Sequence, residues 1–496
     1  MVFFYAFKSY IFTIKRFHFT PSYITCNVCY NTFWKFFLEF GVTLYMRKTK
    51  IVGTVGPVSE DRAILRQLIL AGVNVVRNNY SHGDYDEHIN RFKTVHELNK
   101  ELGTYVGTLM DTKGPEIRTH HFVDGKVYIK QGQTVFISMT EVLGTEERFS
   151  ITYDRLFDDI EIGKTILVDD GYLGLLVIEK DKETRELITV AKNSHMLKNR
   201  RGVNVPNTIL NLPFLSDKDI ADIKFACAND YDYIAASFTR RKEDILQIKE
   251  LLKAEGKDYI QVIAKIENQE GIDNLDDIIT VADGIMVARG DLGVEVFAED
   301  LPHMQKAIVH KCQQRGKLVI VATQMLESMQ NNPRPTRAEV SDVANAIYEG
   351  TDATMLSGEM AAGRYPIEAV EYMAKINERS EAHVDHRIFA KNALFEGDNL
   401  LDAISFSAVQ AAMNYNVKAI IAYGHKATDN LSKYRSIAPI IGVVDSYHKA
   451  TSLSLYYGVF PVIGHDELER KLRELGVVKG DTILVVRKYH IEFTNY

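Results

Sequence analysis

The chain of 496 residues is too long for a single compact core, and at roughly 100 to 200 residues per domain it implies about three domains. With 46% hydrophobic and 25% charged residues it has the composition of a folded protein, neither disordered nor built from many membrane spans. A formal net charge of −7 argues against general nucleic-acid binding, and four cysteines are too few for a disulfide framework, which points to a reducing compartment.

The first 46 residues stand apart. They are crowded with Phe and Tyr, carry Lys8, Lys15, Arg16 and Lys35, and hold no acid before Glu39. No stretch reaches the roughly 20 apolar residues that a membrane helix needs. A basic, acid-poor leader can be an organelle presequence, but the aromatic load is atypical of one, and the segment reads rather as an extension outside the folded unit, either poorly ordered or preceding the true start. Its Cys26 and Cys29 lack a second ligand pair, with only His18 nearby, and read as incidental thiols.

From Lys48 onward, short apolar runs alternate with longer stretches of helical periodicity, the pattern of a parallel sheet with crossover helices. Eight runs predict strands: Lys50 to Val55, Asn74 to Asn79, Tyr105 to Asp111, Tyr233 to Ser237, Gln261 to Ile266, Gly284 to Ala288, Leu318 to Thr323 and Ala353 to Leu356. Eight strands of continuous Val, Ile, Leu and Ala close a (β/α)8 TIM barrel, with a doubly wound open sheet as the competitor on rhythm alone. Helices such as SDKDIADIKFACA, and the acidic start Asn274 to Asp277, fill the intervals.

Between the third and fourth strands the rhythm breaks. Residues 120–210 read as strands and turns (KVYIKQGQTVFIS, RFSITY, TILVDDGYLGLLVIE, ELITVA), a small β domain inserted at the barrel mouth and able to act as a lid. The barrel thus comprises 47–119 and 211–384. A C-terminal α/β domain over 385–496 carries the helices SAVQAAMNYN and DELERKLRELG and the strands KAIIAY, PIIGVV and TILVVR.

Polar residues at the carboxyl ends of barrel strands are site candidates. Arg77, Asn79 and Ser81 follow the second strand, and Asp111, Thr112, Lys113, Glu116 and Arg118 the third. Lys265 and Glu267 end the fifth, Arg289, Gly290 and Asp291 the sixth, Thr323 and Gln324 the seventh, and Ser357 and Glu359 the eighth. Glu267 and Asp291 could share a divalent cation with positions left for water and substrate oxygens. Lys265, two residues earlier on the same strand face, suits an enolate or a migrating phosphoryl group. Spacing alone leaves the alternative open, an ion pair lining the barrel. ARGDLG offers backbone N–H groups to a carboxylate or phosphate. Asn79, Ser81, Asp111 and Thr112 supply oxygen donors that suit either a hard cation or ordinary capping.

The motifs MRKTKIVGTVGP, VVRNNYSHGDY, LMDTKGPEIRT, VDDGYLGL, RGVNVP, DYIAASF, VIAKIENQEGI, DGIMVARGDLGVEV, VIVATQMLESM, PTRAEVSDVANAIYEGTDATMLSGE and LSKYR resemble those of the pyruvate kinase family over about residues 46 to 480. The resemblance implies phosphoryl transfer from phosphoenolpyruvate to ADP, the final step of glycolysis, in a cytoplasmic homotetramer that uses Mg2+ or Mn2+ and K+. It implies Glu267 and Asp291 as ligands of the divalent metal and Lys265 as the stabiliser of the transition state. Arg77 would hold the substrate phosphate; the N–H groups of Gly290 and Asp291, with the Thr323 hydroxyl, would hold the carboxylate, Thr323 near the carbon that is protonated. Asn79, Ser81, Asp111 and Thr112 match the potassium site, with Glu116 the acid that accompanies potassium dependence. Asn79, His82, Arg118 and Arg201 would contact the nucleotide.

Some residues depart from the family pattern. Asn78 stands where the family has Leu or Ile, Tyr80 where it has Phe, and Arg201 where it often has Lys. AYGHKATDN replaces the family's phosphate loop in the last domain, and the segment after TILVVRK falls short of its closing loop, so a sugar-phosphate effector is not expected. His425 and Lys426 could hold an anion or be solvated surface charge. The rival readings are a metal-dependent lyase on the same barrel, disfavoured by the lid and DTKGPEIRT, and a catalytically weak pyruvate-kinase-like regulator.

Overall fold

Residues 47–393, 399–488 and 490–496 are described by a computed structural model; the aromatic leader with Cys26 and Cys29 lies outside the described residues. All eight expected barrel strands form: β1 Lys50–Thr54, β2 Val75–Asn79, β3 Gly107–Asp111, β4 Tyr233–Ala236, β5 Gln261–Ile266, β6 Gly284–Ala288, β7 Leu318–Ala322 and β8 Ala353–Leu356. Each pairs in parallel with its successor, and β8 pairs back onto β1, so the sheet is a closed barrel and the open doubly wound alternative falls. The reason lies in the side-chain period of two. Val52, Val75, Leu109, Ala235, Ile263, Met286 and Ile320 fill the barrel interior. Their neighbours Ile51, Val76, Met110, Ile234, Val262, Ile285 and Val321 pack outward among the surrounding helices.

The helices start and stop on local chemistry. The helix Arg337–Glu349 opens on a capping box in which Thr336 and Glu339 satisfy each other's backbone N–H groups, and it ends at Gly350, whose φ of 92° suits a residue without Cβ.

The insertion is a seven-stranded sheet in the order Ile117–Arg118, Gly202–Asn204, Thr165–Val168, Leu173–Asp181, Glu186–Ala191, Thr134–Ser138 and Arg148–Ser150. A bridge between Thr119 and Ile151 joins its two edges, so the sheet curls around a core that includes Ile137, Phe149, Ile166, Leu175 and Leu187. The last domain is a five-stranded sheet in the order Val459–Ile463, Ile440–Val444, Ile420–Tyr423, Thr482–Arg487 and His490–Asn495, with only the final strand antiparallel. It is tied to the barrel floor by Arg435, whose Nη1 and Nη2 donate to the Asp352 carboxylate at 2.6 and 2.8 Å, both residues being buried. Among the described residues no helix is long and apolar enough to cross a membrane.

Candidate active site

At the carboxyl ends of β2 to β5 the barrel places a closed network of charges. Arg77 Nε donates to Asp111 Oδ2 at 2.6 Å and its Nη1 to Thr54 Oγ1 at 2.9 Å. Lys265 Nζ donates to Asp111 Oδ1 at 3.0 Å and Ser237 Oγ at 2.8 Å, and lies 3.0 Å from Glu267 Oε1. The other Glu267 oxygen accepts the Phe238 N–H at 2.6 Å. Arg77, Asp111, Lys265 and Glu267 are all nine-tenths or more buried. Ser237 and Phe238 lie in the motif DYIAASF but were given no site role from the sequence. They follow β4, whose end offers a single small uncharged side chain, Ser237, after two alanines.

The electrostatics follow from this packing. Burial disfavours ionised Lys265, but the Asp111 and Glu267 carboxylates outweigh it and hold its pKa above the ordinary value. Burial raises Asp111, yet Arg77 and Lys265 overcome it and leave that carboxyl below its usual range. Glu267 moves the other way: burial pushes it up, and the nearby Asp291 and Asp111 charges add to the rise against Lys265. Asp291 is likewise raised, first by burial, with Lys265 opposing and Asp170 reinforcing. Three carboxylates, Asp111, Glu267 and Asp291, thus share two buried cations, and Asp291 has no ion-pair partner among the described residues. Among the described residues no group of three or more His, Cys, Asp or Glu side chains is placed to hold a metal ion by itself. The donor set fits a hard divalent cation held by two carboxylates with its remaining positions filled from solvent and substrate.

The ends of β6 and β7 meet at Gly290, whose N–H donates to Thr323 Oγ1 at 2.7 Å, while the Thr323 hydroxyl donates to the Ala322 carbonyl at 2.5 Å. Thr323 and Gln324 both have positive φ, 66° and 53°. For a β-branched residue that conformation costs on the order of 1 to 3 kcal/mol and persists only where surroundings fix it. Arg289 does so. Its guanidinium donates to the Thr323 carbonyl at 2.7 Å and is anchored on both Asp342 oxygens at 2.8 and 2.7 Å. The helix Arg289–Glu295 then presents Asp291 in its first turn.

The oxygen donors expected to hold a monovalent cation lie on neighbouring strand ends, since Asn79 and Asp111 are register partners. Several are engaged within the protein: Asn79 Oδ1 accepts the Ser81 N–H at 3.1 Å, and Thr112 Oγ1 accepts the Ser237 N–H at 3.0 Å. Behind them, on the helix-facing side of β2, Asn78 is fully buried. Its Nδ2 donates to Tyr231 Oη at 2.9 Å, and Tyr80 Oη reaches the same hydroxyl at 3.1 Å, but Asn78 Oδ1 has no partner. The polar substitution is half compensated, by a pair of tyrosines.

Above the floor a cleft of about 810 Å³ opens between barrel and lid, lined by His82, Glu116, Arg118, Asp170, Arg201 and Asp291 among others. Its size suits a drug-sized or nucleotide-sized ligand. Arg118 is held bidentately by Glu116, both contacts at 2.7 Å, and Arg201 lies 3.5 Å from Asp169. In the last domain, His425 is turned inward, with Nε2 3.1 Å from Ser452 Oγ, and burial pushes its pKa down to about 4. Its other ring nitrogen, Nδ1, lies 3.8 Å from Asp429 Oδ2.

Two family profiles cover the chain: pyruvate kinase, barrel domain, over residues 46–370, and pyruvate kinase, alpha/beta domain, over residues 402–495. The sequence is similar to the pyruvate kinase of Bacillus licheniformis, 49% identical over 454 residues that span 89% of this chain and 77% of that one. It is 51% identical to the pyruvate kinase of Geobacillus stearothermophilus, across 84% of this chain and 71% of the relative. The fold is similar to the crystal structure of a pyruvate kinase from Cryptosporidium parvum, with a TM-score of 0.86, 34% identity, and coverage of 90% of this chain and 96% of that one.

Proposed function

The chain belongs to the pyruvate kinase family, and from that premise we propose that it transfers the phosphoryl group of phosphoenolpyruvate to ADP, giving pyruvate and ATP as the last step of glycolysis in the cytoplasm. The observation that carries the reading is the floor network, in which Lys265 stands among Asp111, Ser237 and Glu267 at the barrel mouth. Phosphoryl transfer asks for positioning and charge neutralisation more than covalent chemistry, and this network supplies both.

In this reading Arg77 holds the substrate phosphate, with Asp111 and Thr54 fixing its guanidinium. The carboxylate docks on the Gly290 and Asp291 N–H groups and the Thr323 hydroxyl; the internal contact from Gly290 N–H to Thr323 gives way to the substrate oxygen. Lys265, kept protonated by its carboxylate neighbours, stabilises the charge that develops on the transferred group and on the enolate oxygen. Thr323 lies beside the enolate carbon and positions the proton that completes pyruvate. Glu267 and Asp291 hold Mg2+ or Mn2+, which when bound supplies Lewis-acid neutralisation of phosphate charge. Asn79, Ser81, Asp111 and Thr112 hold K+, and Asn79, His82, Arg118 and Arg201 contact the nucleotide in the cleft. The domain limits follow the same reading: barrel 47–119 and 211–384, lid 120–210 and C-terminal domain 385–496, with a homotetramer as the assembly.

Initial rates of pyruvate formation test it, measured with ADP in Mg2+ or EDTA, and in K+ or a tetramethylammonium buffer. Turnover that needs ADP, the divalent cation and K+ is expected. A folded parent chain without turnover would favour the regulator reading.

A further inference from the structure

The helix Arg289–Glu295 has a polar residue at its far end that the reaction does not use. Glu295 follows Asp291 by four residues and so lies one turn along the same face. Its Oε1 accepts a hydrogen bond at 2.8 Å from Nδ2 of Asn204. Asn204 is a lid residue, the last of the strand Gly202–Asn204, which pairs with both Ile117–Arg118 and Thr165–Val168. Other polar contacts from the lid sheet run to the connecting segment, such as Lys164 Nζ to the Asn207 carbonyl and Asn211 to Asp159. Among the described residues no other side-chain hydrogen bond joins the lid sheet to a barrel helix. Beside it the lid approaches again at Gly171, where an added Cβ would lie 3.5 Å from Val294 Cγ1. Glu295 is half-buried at the edge of the cleft, which both partners line, and burial pushes its carboxyl up to about 7.

We propose that Glu295 is a positioning residue that latches the lid, through Asn204, onto the helix presenting Gly290 N–H and Asp291. The paired strands that bring Arg118 and Arg201 over the cleft and the helix that shapes its floor then move into place together. This inference rests on the phosphoryl-transfer reading for the roles of Gly290 and Asp291. The latch itself is a property of the two elements.

The test uses the full chain with Glu295→Ala, Asn204→Ala, the double variant and Glu295→Gln, which keeps an acceptor for Asn204. Loss of this one hydrogen bond raises the KM values for phosphoenolpyruvate and ADP about tenfold, with kcat changed less than threefold. The double variant behaves as either single one does, and Glu295→Gln stays near the parent. Hydrogen exchange of the ligand-free chain gives a second readout that does not depend on turnover. The amides of 202–205 and of 292–296 exchange faster together in both alanine variants and not in Glu295→Gln. Unchanged exchange in those segments, or single-variant effects that add in the double variant, overturns the latch. A parent chain without turnover would sink the phosphoryl-transfer reading instead, leaving exchange to decide on the latch.

Discussion

Replacing Lys265 by Met separates catalysis from metal binding. The ammonium lies 3.0 Å from both Asp111 and Glu267. At an effective dielectric of about 20, each contact corresponds to about 5 kcal/mol of direct attraction before desolvation is offset. Asp111 keeps Arg77 after the substitution, but Glu267 keeps only the Phe238 N–H. Three carboxylates would then share one cation in place of two, so the floor becomes more negative and holds a divalent cation at least as tightly as before. Turnover moves the other way. A preorganised donor is worth about 100- to 1000-fold, and a cation on a migrating phosphoryl group about 1000-fold or more, so kcat falls by at least about 1000-fold. Mn2+ titration followed by electron paramagnetic resonance, run beside steady-state kinetics, measures both. A variant that keeps more than about a tenth of kcat, or that binds Mn2+ tenfold more weakly, would refute the assignment of Lys265.

Two further outcomes concern stability. Asn78→Leu removes a buried amide oxygen with no partner and leaves Tyr231 and Tyr80 paired with each other. The variant should be more stable by about 1 to 3 kcal/mol, read as a higher urea midpoint, and a lower midpoint would show that the amide is better satisfied than its contacts indicate. His88 and His386 are buried, and burial first, with Arg91 and Lys48 respectively adding, pushes each down to about 4. The unfolded chain takes up these protons near pH 6.5 and the folded chain does not. Their contribution is therefore complete above pH 6.5 and is lost as pH falls toward 4, by about 2 kcal/mol each at pH 5. His386→Gln, which retains a donor for the Arg435 carbonyl, should shrink the drop in midpoint between pH 7 and 5.

Much of the fold was readable because barrel strands are buried on both faces. Runs such as VVRNN and KIVGT cannot be mistaken for amphipathic helix, and their observed limits differ from expectation by a residue or two. The strands Val459–Ile463 and His490–Asn495 were passed over for physical reasons. The first is an apolar run interrupted by Pro461, which argues against a strand except at a sheet edge, and the second has side chains mostly in water and shows no apolar run. In the site, charged residues at strand ends announced themselves, whereas Ser237 and Phe238 contribute through one hydroxyl and one backbone N–H. The left-handed Thr323 and Gln324 gave no signal either, because neither residue type favours that conformation and only the Arg289 clamp imposes it. The tie between Asn204 and Glu295 joins residues 91 apart, beyond the reach of any local pattern.

The most direct observable of the reaction is where the phosphoryl group goes. Phosphorus NMR of phosphoenolpyruvate and ADP mixed with the full chain, Mg2+ and K+ follows that group directly. The phosphoenolpyruvate signal should be replaced, one for one, by the γ-phosphate of ATP, at a rate that falls sharply when K+ is withdrawn. Persistence of phosphoenolpyruvate with a folded chain, or its conversion to inorganic phosphate without ATP, would contradict phosphoryl transfer to ADP.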